Sequence, residues 1–89
     1  MTLTPWILYI LECADGTLYT GITNDMPTRL EKHAKGRGAK YTRGRGPFKV
    51  LHTESHATRS SALKREAEIK SLDRDQQLEF AAGLLGQHG

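Results

Sequence analysis

Tyr9 and Tyr19 flank the turn-forming run Ala14-Asp15-Gly16, Arg29 and His33 stand four residues apart, and Glu66 sits among apolar residues of a helical pattern. Each has a chemical and a structural reading. A tyrosine has an aromatic body that packs well on a sheet, so either one taken singly is first a core residue. Two on one face of a hairpin bring two phenol hydroxyls to one site. Arg29 and His33 share a helix face beside the apolar stripe of Met26, Leu30 and Ala34, and an isolated pair of this kind is ordinarily a solvated edge. Glu66 is the most informative residue. Ala62, Leu63 and Ile69 lie three or four positions from it, which places its carboxylate in the middle of the inward stripe, while Glu68 projects oppositely. A carboxylate is rarely buried without a partner. The partners open to it are a cation, with a salt bridge to Arg29 as the structural reading, and a metal ion.

Charge adds a second signal. The net charge is +3, but Arg29, Lys32, Lys35, Arg37, Lys40, Arg43, Arg45 and Lys49 face only Glu31 between positions 29 and 49, so this stretch carries +7 and the remainder −4. Gly36, Gly38, Gly44 and Gly46 are interleaved with the cations. Such a segment suits a phosphate backbone, since the charges attract it and the glycines let main-chain amides approach closely. A solvated basic loop is the alternative reading of the same charges.

The elements that must position these residues follow from local pattern. Trp6 to Cys13 is rich in aromatic and β-branched residues and reads as a strand entering a hairpin, with Thr17 to Thr23 as its return. Both faces of the first strand are apolar up to Ile10, which predicts a central position in a sheet covered on both sides. A two-residue Asp-Gly turn would pair Glu12 with Tyr19 and put the tyrosines on opposite faces. A three-residue Ala-Asp-Gly loop with a left-handed Gly16 pairs Leu11 with Tyr19 and puts Tyr9 and Tyr19 on one face, and this is the register we expect. Asn24 or Asp25 caps a helix from Met26 to Lys35 with Pro27 in its first turn, and Leu30 and Ala34 face the core. A polar loop follows to Gly46, then a third strand from Phe48 to Thr53. Thr58 or Ser60 caps a helix to about Leu72, and Asp73 caps the last helix through Gln76, Leu78 and Phe80. The expected class is α+β, a three-stranded antiparallel sheet flanked by about three helices in the order β-β-α-β-α-α.

Eighty-nine residues suit one domain, expected over 1–83 with 84–89 as a flexible tail. The longest apolar run, Trp6 to Leu11, is far short of the roughly 20 residues of a membrane helix, and no basic segment precedes it, so a cytoplasmic location is the expectation. Cys13 is the only cysteine, which excludes an intramolecular disulfide and a thiolate-rich metal site.

Leu8-Tyr9-Ile10 followed by Leu18-Tyr19-Thr20-Gly21 resembles the two-part signature of the GIY-YIG nuclease family. Further matches are Arg29 ten residues after the second tyrosine, His33 one turn later, Gly38-Ala39-Lys40-Tyr41-Thr42 in the basic loop and Ala62-Leu63-Lys64-Arg65-Glu66 on the later helix. The resemblance spans about Trp6 to Leu72, and its compact form is similar to the small stand-alone bacterial, UPF0213-like members. Two departures stand out: Leu8 replaces the isoleucine of the first triplet with no glycine before it, and the asparagine that some branches carry after the glutamate helix is missing, Asn24 being the only one present.

The resemblance implies a metal-dependent endonuclease acting on DNA, with RNA as the alternative substrate and DNA repair or processing of foreign DNA as natural pathways. Glu66 would be the sole protein ligand of magnesium, or of manganese in its place. Arg29 would hold the phosphoryl group, and Tyr9, Tyr19 and His33 would position or deprotonate the attacking water, the three remaining alternatives for the base. A phenol of ordinary pKa near 10 needs nearby cations for that task. Lys35, Arg37, Lys40, Arg43 and Arg45 would bind the backbone, with Tyr41 stacking on a base or orienting the loop. Backbone contacts carry little sequence information, so preference for a structure or a single strand is expected over sequence specificity. A non-catalytic nucleic-acid-binding module and a protein-interaction domain on the same scaffold are the competing readings.

Overall fold

The computed structural model describes residues 5–36 and 44–83 of the chain. Its elements run β1 (Trp6–Glu12), β2 (Leu18–Thr23), α1 (Met26–Ala34), β3 (Lys49–His56), α2 (Arg59–Lys70) and α3 (Arg74–Ala81). The sheet is antiparallel with strand order β2-β1-β3, so the strand that is apolar on both faces is the central one.

The hairpin takes the three-residue loop. Cys13 N–H donates to the Thr17 carbonyl at 2.8 Å and Gly16 N–H to the Cys13 carbonyl at 2.9 Å, with Gly16 at φ +86°, a conformation that only glycine adopts cheaply. Asp15 Oδ1 accepts from the backbone N–H and the hydroxyl of Thr17, closing the turn. Leu11 therefore pairs with Tyr19 and Tyr9 with Gly21, and both tyrosines lie on one face.

The opposite face carries the main core. Leu8 and Ile10 of β1 bury against Ile69 of α2 and Phe80 of α3, with Ile22, Leu51 and Leu72 packed around them. Each fully buried side chain of this size contributes roughly 1.5–3 kcal/mol. Asp25, Thr58 and Asp73 cap the three helices, each accepting from a backbone N–H of the first turn, and Gln76 completes a capping box with Asp73.

Three expectations need correction. The third strand runs to His56 rather than ending at Thr53, because Glu54 and His56, too polar to read as strand interior, find partners on α2 in Arg65 and Ser61. Ala34 is exposed rather than facing the core, and the buried position of α1 is His33. Leu63 is also exposed, at 36%, so the inward line of α2 is Ala62, Glu66 and Ile69. In α1 the position next to the expected one, about 100° around the axis, was the one that turned inward, whereas α2 keeps Ala62 and Ile69 of its expected stripe and loses only Leu63.

Candidate active site

Local structure delivers the tyrosines. Tyr9 projects from the middle of β1, is 1% exposed and lies over Gly21 on β2. A Cβ at position 21 would stand 2.6 Å from Tyr9 Oη and 2.8 Å from Cζ, so the glycine is what lets the phenol lie across the strand. Tyr19 comes from the same face of β2, half-buried, with its ring centroid 6.2 Å from that of Tyr9.

Helix α1 supplies the third member. His33 is 1% exposed, and its Nε2 lies 3.0 Å from Tyr9 Oη. Its ring packs edge-on against Tyr9, Tyr19 and Phe48 at 5.9, 5.4 and 5.8 Å between centroids. The pair Arg29 and His33 is thus not a solvated edge: His33 packs on both tyrosines, and Arg29 is partly buried.

Electrostatics separate the roles. Burial pushes the Tyr9 phenol well above its ordinary range, and Tyr19 beside it and the negative charge of Glu66 add to this while Arg29 opposes it. His33 is held below its ordinary value of 6.5 by burial and then by the positive charge of Arg29. At neutral pH the pair is therefore a protonated phenol against a neutral imidazole, so the Tyr9 hydroxyl donates to Nε2 when that nitrogen carries the lone pair.

Glu66 lies on the inward side of α2, and its negative charge adds to the upward push on the Tyr9 phenol. Its side chain is 20% exposed, and its carboxylate lies 3.4 Å from Lys70 Nζ, one turn on. The ion pair is with Lys70 rather than with Arg29. Lys70 also lines a groove with Leu18, Tyr19 and Thr20, so Tyr19 and the cation paired with Glu66 border one surface. Arg29 borders a small cleft with Asp25, Thr28 and Lys32.

Among the described residues no group of three or more histidines, cysteines or acids is arranged to hold a metal ion. A single hard carboxylate suits magnesium, which is commonly bound through one or two carboxylates with substrate phosphates and water, and does not suit zinc. Of the predicted backbone-binding residues, Lys35 pairs with Glu31 on α1 and Arg45 with Asp15 of the hairpin. Arg37, Lys40, Tyr41 and Arg43 lie outside the described residues.

Sequence reasoning missed two contributors. Phe48, read only as the start of a strand, packs on His33, and Lys70 pairs with Glu66. The i,i+4 spacing of Glu66 and Lys70 was the one signal available for either.

Comparison with known proteins shows the family and the fold. The family model described as the GIY-YIG catalytic domain matches residues 5–79. A UPF0213 protein of Haloquadratum walsbyi is 51% identical over 74 residues, covering 83% of each chain. One from Cupriavidus necator is 49% identical over 81 residues, covering 91% of this chain and 88% of that one. The solution NMR structure of a UPF0213 protein from Bacillus halodurans is 45% identical with a TM-score of 0.58, covering 88% of this chain and 83% of the other. That of a protein from E. faecalis is 39% identical with a TM-score of 0.65, covering 92% and 88%.

Proposed function

Since this chain belongs to the GIY-YIG family, a nuclease superfamily, we propose that it is a metal-dependent endonuclease hydrolysing phosphodiester bonds in DNA, with little sequence specificity and a preference for single strands or structured DNA. The observation that carries the reading is the buried contact of Tyr9 Oη with His33 Nε2 at 3.0 Å, with Tyr19, Arg29 and Glu66 around it. The hydroxyl and the imidazole nitrogen stand within hydrogen-bond reach, a geometry through which a proton can pass.

In this reading Arg29 holds the phosphoryl group through its planar fork of donors. Tyr19, the more accessible of the two phenols, orients the attacking water. The proton that the water loses ends on His33 Nε2, with the tyrosine hydroxyls passing it inward, so that neither tyrosine has to persist as a phenolate. Glu66 would hold a magnesium or manganese ion, which when bound supplies charge stabilisation to the leaving oxygen and the transition state. Lys70 keeps the carboxylate partnered until then. Lys35, Arg37, Lys40, Arg43 and Arg45, with Tyr41, take the flanking backbone.

The test is incubation of the purified protein with labelled single-stranded, duplex and branched DNA, with and without magnesium or manganese, beside Glu66→Ala. Metal-dependent cutting that the variant lacks is the expected result. Binding that ignores the metal, with no cutting of any DNA or RNA form, would instead make the chain a nucleic-acid-binding module. No measurable affinity for any polyanion at low salt would leave the protein-interaction reading.

A further inference from the structure

Between the C-terminal end of α1 and the start of β3 lies an open pocket of about 800 Å³ that the proposed chemistry does not use. Leu30, Pro47, Phe48 and Val50 form its apolar walls, and His33 lies at its inner side. Val50 is 39% exposed, a large apolar side chain left at the mouth. Phe48 packs edge-on against His33, and Gly46 holds it there by omission: a Cβ at that position would meet the ring at 3.3 Å. An open concavity with an aromatic and aliphatic wall is the usual form of a ligand site, and its volume falls within the roughly 300–1,000 Å³ typical of one.

Its position selects the ligand. The pocket shares His33 with the Tyr9 contact, so its occupant is one side chain away from the phenol group. Lys35 is part of the lining, and the stretch of sequence from 29 to 49 to which the wall residues up to Phe48 belong carries +7, a charge that attracts a polyanion. A flat, weakly polar group attached to a polyanion, able to stack on an aromatic ring, is a nucleobase. A base paired and stacked within a duplex has both faces covered and could not enter. The geometry points to a nucleobase subsite, in which Phe48 and Val50 receive an unstacked base of the strand whose backbone lies at Arg29 and the tyrosines. This inference rests on the nucleic-acid part of the function proposed above and narrows its substrate to strands that can offer an unpaired base.

Binding in a metal-free buffer separates this from cleavage. Fluorescence anisotropy would compare a labelled oligothymidylate with an abasic chain of equal length and charge. The wild type should bind the base-bearing strand about tenfold more tightly, the scale of one stacked base. Phe48→Ala should erase that ratio while leaving abasic binding unchanged, and Phe48→Tyr should keep it. Val50→Glu, a change at an exposed position that leaves the main core intact, should erase it too, and decides the matter if Phe48→Ala fails to fold. Equal affinity of the wild type for both strands, or a ratio surviving Val50→Glu and any folded Phe48→Ala, overturns the subsite. A protein that discriminates bases but cuts nothing keeps the subsite and loses the endonuclease; one that cuts yet binds both strands alike does the reverse.

Discussion

Tyr9 Oη lies 3.0 Å from His33 Nε2, although 24 residues separate them in sequence and one is on the central strand while the other is on a helix. Because burial and Arg29 hold His33 below 6.5, a base at this position stays deprotonated into mildly acid solution. We predict that kcat/KM for cleavage is flat from neutrality down past pH 6.5 and falls only below it, on the limb where His33 gains its proton. His33→Gln should remove that limb and lower kcat by roughly 10²–10⁴. An unchanged acid limb in the variant would assign the base elsewhere.

The same pair sets the pH range of stability. His33 binds its proton more weakly folded than unfolded, so stability declines as pH falls below 6.5 towards the lowered value. Tyr9 holds its proton more tightly folded, so its contribution is complete below the ordinary 10.0 and declines as pH rises above that. Absorbance titration of the three tyrosines should show one that ionises only as the protein unfolds in alkali, and Tyr9→Phe should remove it.

Gly21→Ala should harm the site more than its size suggests. The new methyl would meet Tyr9 Oη and Cζ at 2.6 and 2.8 Å, and a phenol 1% exposed has no room to retreat. Overpacking of this kind costs about 1–3 kcal/mol, measurable as a lowered midpoint in urea. Displacement of the hydroxyl from His33 should cost on the order of 10² in turnover as well.

Glu66→Ala should abolish cutting while barely altering stability or binding. Its partner, Lys70, is 54% exposed, and exposed i,i+4 pairs contribute only about 0.3–0.5 kcal/mol. Loss of charge stabilisation at a transition state costs several kcal/mol, a fall in rate of roughly 10³. Melting temperature and anisotropy measured on the same sample separate the two effects.

Glu54→Gln should destabilise the fold without touching the site. Its carboxylate receives Arg65 Nε at 2.8 Å and stands 2.9 Å from His56 Nε2 and 3.1 Å from His52 Nε2, while His56 Nδ1 is 2.7 Å from the Ser61 hydroxyl. Burial alone would raise its pKa, but the hydrogen bonds from the two histidines and Arg65, with the guanidinium charge, hold it below the ordinary 4.5. The stability it contributes is present above 4.5 and is lost as pH falls through the lowered value. A cost of about 1–3 kcal/mol in thermal unfolding at neutral pH is expected, and it should shrink in acid.

What was readable in the chain is what neighbours in sequence decide. The hairpin loop, its left-handed Gly16, the register that puts Tyr9 and Tyr19 on one face, the cap Asp73 and the two candidates at each other cap, from which the structure takes Asp25 over Asn24 and Thr58 over Ser60, all rest on interactions spanning a few residues. The alternation of strand and helix gave the element order for the same reason.

What the tertiary structure decided is which face of each helix turns inward and what lies opposite it. On a helix the positions beside an apolar stripe compete within about 100° of rotation, and the sheet surface chooses between them. Thus His33 is buried against Tyr9 where Ala34 was expected inward, Leu63 is exposed beside a half-buried Glu66, and β3 continues through Glu54 to His56 because α2 brings Arg65 and Ser61 to meet them. The spacing of Arg29, His33 and Glu66 named the candidates, but only long-range packing could bring them to the phenols, since residues distant in the chain become neighbours through burial and not through local preference.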